Sequence, residues 1–151
     1  LLQRDTSYFQ ILKEIYIKQG TWEEQREPLW QELSKRLPIH EYAALLSAEN
    51  EADKLMEAVR LYPAAIFQHG KQLAGGLPEE TYAIYETCIM EEARAATDRR
   101  KYRQVCRMLK DFAATGAKDR ALELIDSLAA MYPRRPAMVE ELTGIRKRLA
   151  K

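Results

Sequence analysis

Apolar residues recur along this chain at intervals of three and four almost from end to end, and nowhere do they alternate convincingly with polar ones as a half-buried strand requires. The pattern predicts helices. Tyr8, Phe9, Leu12, Ile15 and Tyr16 form a first stripe that Gly20 should stop, since glycine readily takes the left-handed conformation that ends helices. Thr21 is the expected cap of a second helix, with Glu23 and Glu24 in its first turn, where the helix dipole favours anions. Pro28 then requires an early-turn position or a kink. Leu29, Trp30, Leu33 and Leu37 continue this face to Pro38, expected at the first position of a third helix carrying Tyr42, Leu45 and Leu46.

After a break at Glu49-Asn50, Leu55, Met56, Val59 and Tyr62 mark a fourth helix. Ile66, Phe67, Leu73 and Ala74 mark a fifth, ended by Gly75-Gly76. Pro78 opens a sixth, whose Tyr82, Tyr85, Ile89, Ala93 and Ala96 face one way. The seventh is the clearest: Asp98 caps it, and Tyr102, Val105, Cys106, Leu109, Phe112 and Ala113 follow an i, i+3, i+4, i+7 rhythm. Gly116 should end it. Ala121, Leu124, Ile125, Leu128, Met131 and Tyr132 form the stripe of an eighth helix, which Pro133 stops. Pro136 presets the first turn of a ninth, with Met138, Val139, Leu142, Ile145 and Leu149 inward.

Short helices joined by turns of a few residues favour antiparallel neighbours that bury their stripes by stacking in pairs. Phe112, Gly116, Ala121 and Pro133 fall at the intervals of a tetratricopeptide (TPR) unit: aromatic, glycine, small residue, proline. In "IYIKQGTWEEQREPLW" Tyr16 again precedes Gly20 by four, but Gln25 stands where the small residue belongs. The expectation is an all-α fold of about nine antiparallel helices in a right-handed TPR-like stack, one helical-repeat domain over residues 1–151.

Length and composition narrow the class. At 151 residues the chain can bury a core without staples. No apolar run approaches the ~20 residues that cross a bilayer, so no membrane partner is expected. It opens on Leu1-Leu2 without an initiator Met, as a piece of a longer protein would. Cys88 and Cys106 are the two cysteines, in no Cys-x-x-Cys arrangement, which fits a reducing cytoplasm.

Charge adds an asymmetry to a net +1: residues 1–93 carry 9 Lys and Arg against 16 Asp and Glu, whereas residues 94–151 carry 15 against 7. Either the halves attract each other or a basic face meets an anionic partner. Arg94, Arg99, Arg100, Lys101, Arg103 and Arg107 form the one charge cluster that stands out, and Arg134, Arg135, Arg146, Lys147 and Arg148 can add to them in space. Arg99, Arg100, Arg103, Arg107, Arg134 and Arg135 are the candidate contacts for an anion or nucleic acid. The favoured alternative is a solvated face paired with acids of the earlier helices, because Tyr102 belongs to the apolar stripe and leaves few aromatics for base stacking.

Catalytic chemistry is hard to assemble from these residues. Structural zinc needs four converging donors, and the two cysteines with His40 and His69 show no local pairing. Glu23-Glu24, Glu79-Glu80 and Glu91-Glu92 are consecutive, so on a helix their side chains diverge by ~100°. With no nucleophile-base arrangement, phosphate loop or cofactor fingerprint, the chain is expected to be no enzyme and to hold no cofactor or metal. Its tyrosines lie mostly on apolar stripes, as core packing requires.

"DRRKYRQVCRMLKDF" followed by "ALELIDSLAAMYPRRPAMVEEL" resembles the C-terminal helical region of bacterial SWIM zinc-finger proteins, where a basic Tyr-bearing helix and a Tyr-x-Arg-Arg-Pro-Ala corner close the chain. The resemblance is strongest over residues 94–143, with "IYIKQGTWEE" and "YAIYETCIMEEA" in keeping. It implies a noncatalytic, solenoid-like protein-interaction scaffold in a larger protein, sometimes associated with Swi/Snf-type helicases. The zinc motif itself, Cys-x-Cys followed by Cys-x-His, is absent here, and no zinc ligand or catalytic residue carries over. The alternative function is a nucleic-acid-binding module using the basic helix at 94–110.

Overall fold

The structure, a computed structural model, describes residues 2–151, with side chains from residue 7 onward. Leu1, part of the reason to expect a longer protein, lies outside them. The fold is all-α, without a strand among the described residues. The residues group into two compact units, Leu1–Tyr62 and Pro63–Lys151.

In the first unit Gly20, at φ +73°, ends α1 (Leu2–Gln19), and the Thr21 N–H closes the turn on the Tyr16 carbonyl at 2.9 Å. Thr21 does stand at the start of α2 (Trp22–Arg36), but its side chain caps nothing. Its hydroxyl turns back and donates to Tyr16 O at 3.5 Å, with the backbone at φ −112°, ψ 8°. Pro28 lies inside α2. Pro38 is the cap of α3 (Ile39–Ala48), one position earlier than expected, and Asn50 at φ 56° makes the turn into α4 (Ala52–Leu61).

In the core of this unit Trp30 packs on Phe9 at 4.7 Å between ring centres, and Leu33, Leu46, Leu55 and Met56 are also fully buried. The α1 stripe is wider than the core it meets: Phe9 is buried, while Tyr8 and Ile15, expected inward, are exposed. Tyr62 is exposed too, because α4 stops one residue before it.

The second unit begins with a 3-10 turn at Pro63–Ala65 and continues through α5 (Ile66–Gly76) and α6 (Pro78–Ala95). Gly116 leaves helical geometry at φ +103°, where the seventh helix is expected to stop. The chain kinks there, over Ala113–Ala117, between α7 (Arg99–Phe112) and α8 (Lys118–Met131). With α7 and α8 counted as one kinked helix, the described residues hold eight helices, slightly fewer than the nine expected; α9 (Pro136–Ala150) is the last of them.

Tyr85 organises this unit. Its ring stacks on Phe112 at 5.1 Å and meets Phe67 edge-on at 5.1 Å, while its hydroxyl donates to Ile66 O at 3.1 Å. Gly70 makes room for that ring: a Cβ there would lie 2.5 Å from Cε2 and Cζ of Tyr85 and nearer still to its hydroxyl. Thr81, buried among apolar residues, satisfies its hydroxyl by donating to Leu77 O at 2.7 Å. Ala121 and Phe112, two residues of the expected repeat interval, are fully buried.

Candidate functional site

The candidate residues sit where α7 starts. Asp98 caps that helix as expected, its carboxylate accepting from the Lys101 N–H at 2.9 Å. With Tyr102, Val105, Cys106, Leu109 and Phe112 buried, helical phase leaves the cations on two flanks.

On the flank toward α9, Arg99 Nη1 lies 2.9 Å from Glu141 and 3.4 Å from Glu140, and Arg103 Nε lies 3.3 Å from Glu141. The hydrogen bond from Arg99 is the main cause that holds the Glu141 carboxyl below its ordinary range, and Arg103 adds to it. The acids that meet these arginines thus come from α9, in the basic half of the chain, where acids of the earlier helices were expected. Arg146 likewise pairs within the basic half, with Asp126 at 2.8 Å, whereas Arg120 reaches acids of the earlier α6, Glu79 at 2.9 Å and Glu86.

On the other flank Arg100, Lys101, Gln104 and Arg107 line a cleft of about 320 Å³ with Asp98 and with Glu92 of α6. Arg107 donates to Gln104 Oε1 from Nε at 3.0 Å. Arg100 and Lys101 enter no ion pair among the described residues and are exposed.

Arg134 and Arg135 part company at the corner between α8 and α9. Arg134 points to solvent as an exposed residue. Arg135 is half-buried and caps α6: Nη1 donates to Ala93 O at 2.9 Å and Ala96 O at 3.3 Å, Nη2 to Arg94 O at 3.3 Å, and the guanidinium lies 4.2 Å from the centre of the Tyr132 ring. These carbonyls lie at the end of α6, where Ala93 O accepts only a long bond, 3.3 Å, from the Ala96 N–H. A planar fork with several donors suits them. Arg135 is therefore occupied by the fold, and of the six candidates Arg100, Arg107 and Arg134 remain outside ion pairs and carbonyl caps.

The thiols are poor nucleophiles. Burial pushes Cys106 up to about 11, with the Glu141 charge adding to it, and burial also raises Cys88. The thiolate is the reactive form, so both are largely protonated near neutral pH. Among the described residues no group of three or more His, Cys, Asp and Glu is placed to hold a metal. His40 is exposed beside Glu41 at 3.5 Å, and burial lowers the His69 pKa.

One surface escaped sequence reasoning. Met90 on α6 and Met131 at the end of α8, 40% and 52% exposed, form with Thr87 and Tyr132 the walls of an open groove of about 340 Å³, bordered by Glu91 and Arg94. Met131 was placed on the buried stripe. The signal that could have corrected it is Pro133, which ends α8 just where the stripe runs off the core. Compared with protein-family models, with curated proteins and with solved structures, the chain matches none.

Proposed function

We propose that this chain is a noncatalytic protein-interaction scaffold, a TPR-like helical-repeat part of a larger cytoplasmic protein of the SWIM zinc-finger kind. The observation that carries the reading is the exposed methionine groove on α6 and α8. Methionine side chains are flexible and polarisable and repack against varied apolar surfaces, which is why they recur on docking faces. Protonated, buried thiols and arginines neutralised by neighbouring carboxylates support it. The partner class implied by the family resemblance is a Swi/Snf-type helicase.

The test is photo-crosslinking from a benzophenone residue at Thr87, on the rim of the groove. An adduct with one protein partner is expected, and it should vanish when Met90 and Met131 are both replaced by lysine, in a protein that melts as the wild type does. No adduct, or one indifferent to the two lysines, overturns the reading.

The second reading, a nucleic-acid module, is favoured by one observation: Arg100, Lys101 and Arg107 converge on a cleft without an ion pair. Three neutralised phosphates on B-DNA give a log–log salt slope of roughly −2.7, from about −0.9 per phosphate. Anisotropy titrations across salt, with all three cations replaced by alanine, decide it. A slope near zero in the wild type removes this reading.

A further inference from the structure

In the first unit α2, α3 and α4 enclose an open cleft of about 500 Å³. Its aromatic wall is Trp30 with Tyr42, rings 6.2 Å apart and nearly perpendicular. Its polar wall is Glu27, Lys54 and Glu57. Lys54 Nζ is held by Glu27 at 2.6 Å, whereas Glu57 takes part in no ion pair among the described residues. The lining thus carries two carboxylates against one ammonium, in a unit where residues 1–62 hold 8 Lys and Arg against 11 Asp and Glu.

Two features make this more than a dent in an acidic surface. Burial, followed by the charges of Glu57, Glu27 and Glu51, raises the Tyr42 phenol, so a negative field reaches the floor of the cleft. Trp30 is 1% exposed, and its indole Nε1–H is buried with no hydrogen-bond partner. Buried donors are almost always satisfied, and one that is not, on a cleft wall, is stabilised by any acceptor that arrives.

We propose that this cleft binds a basic peptide segment of a partner protein, a Lys or Arg side chain lying against Glu57 and the aromatic wall while a peptide carbonyl accepts from Trp30. The three needs of the cleft call for different groups: a cation for the unpaired carboxylate and the part-exposed Tyr42 ring, an acceptor for the indole, and an aliphatic stem along Ile39 and Leu61. A basic residue in a peptide supplies all three at once, whereas a simple amine lacks the acceptor and an acidic segment is repelled. This site shares no lining residue with the α6–α8 groove, so either can fail without the other.

Trp30 is its own reporter once Trp22, the other tryptophan, is replaced by phenylalanine. The probe is the blocked peptide Gly-Lys-Gly-Lys-Gly, titrated at physiological salt against its glutamate counterpart and against lysinamide. Saturable change in Trp30 emission with the lysine peptide alone is expected. Glu57→Gln should raise the Kd roughly two- to fivefold, the loss of about one exposed charge pair. Leu61→Lys, which sets a fixed cation at an exposed rim position, should abolish binding, and unchanged far-UV dichroism keeps both variants interpretable. No saturable change at millimolar peptide, equal response to the glutamate peptide or to lysinamide, or a Kd indifferent to both variants overturns the proposal.

Discussion

Replacing Arg135 with alanine removes three donated bonds to the end of α6, at 2.9, 3.3 and 3.3 Å, together with the stack on Tyr132. Hydrogen bonds with a charged partner contribute about 1.5–3 kcal/mol each when well buried. Here the guanidinium is half-buried, two of the three bonds are long, and water can reach the carbonyls once the side chain is gone. The set then contributes about 1.5 kcal/mol, and the ring contact about 0.5 kcal/mol more. A loss of about 2 kcal/mol, at a urea slope of about 2 kcal/mol per molar, lowers the midpoint by about 1 M.

Urea unfolding followed by far-UV dichroism measures this, with the slope unchanged if the folded and unfolded states keep their extents. Arg135→Lys separates charge from shape. An ammonium retains attraction to the helix C-terminus, about 0.3–1 kcal/mol, but cannot fork across three carbonyls, so its midpoint should fall between the other two. The reasoning fails if Arg135→Ala unfolds within about 0.2 M of wild type, or if lysine serves as well as arginine.

Gly70→Ala should destabilise by about 1–3 kcal/mol by overpacking, although alanine is the better helix former; Tyr85→Phe in the same chain should not rescue it, because the ring carbons overlap the new methyl as well. A gain in midpoint would show that the ring yields freely. Ala121→Trp, at a position with no exposure, should cost on the order of 1–3 kcal/mol, and an unchanged denaturant midpoint refutes the buried register. Glu141 has its folded pKa depressed, chiefly by Arg99, so its contribution is complete above the ordinary glutamate pKa and is lost as pH falls through the depressed value. Glu141→Gln should therefore flatten the acid limb of stability against pH, and an unaltered limb counts against the pair. Cys106, pushed up to about 11, should resist alkylation in the native protein at neutral pH and react on unfolding.

The second unit was more legible in sequence than the first, and the reason is the width of the apolar face. On α7 every inward residue of the Tyr102-to-Phe112 series is buried and the opposite side is charged, so one phase satisfies burial and solvation together. On α1, Tyr8, Phe9, Ile11, Leu12, Ile15, Tyr16 and Ile17 spread over most of the circumference, and periodicity alone cannot say that Phe9 is the one fully buried. Helix ends were placed within a residue or two, yet what happens at an end is tertiary. Gly116 reads as a stop in any sequence, and its backbone does leave the helical region at φ +103°; what periodicity does not say is how directly α8 follows, across a kink at Ala113–Ala117.

The site was legible as an inventory of charges and illegible as a pattern of partners. Counting Lys and Arg in windows finds residues 94–151 basic, and nothing in that count distinguishes Arg99, held by two glutamates, from Arg100, one residue away and unpaired. The difference is about 100° of helical phase combined with the placement of α9. Arg134 and Arg135 repeat the lesson without a helix: adjacent and chemically identical, one faces solvent and the other ends α6. Pro136 after Arg135 keeps that residue out of the helical region, at φ −113°, ψ 77°, and Tyr132 offers a surface for the guanidinium plane. A run of arginines flanked by proline and aromatic residues at a helix-helix corner is thus a capping device as readily as an anion site, and the two are told apart by whether a neighbouring helix ends within reach.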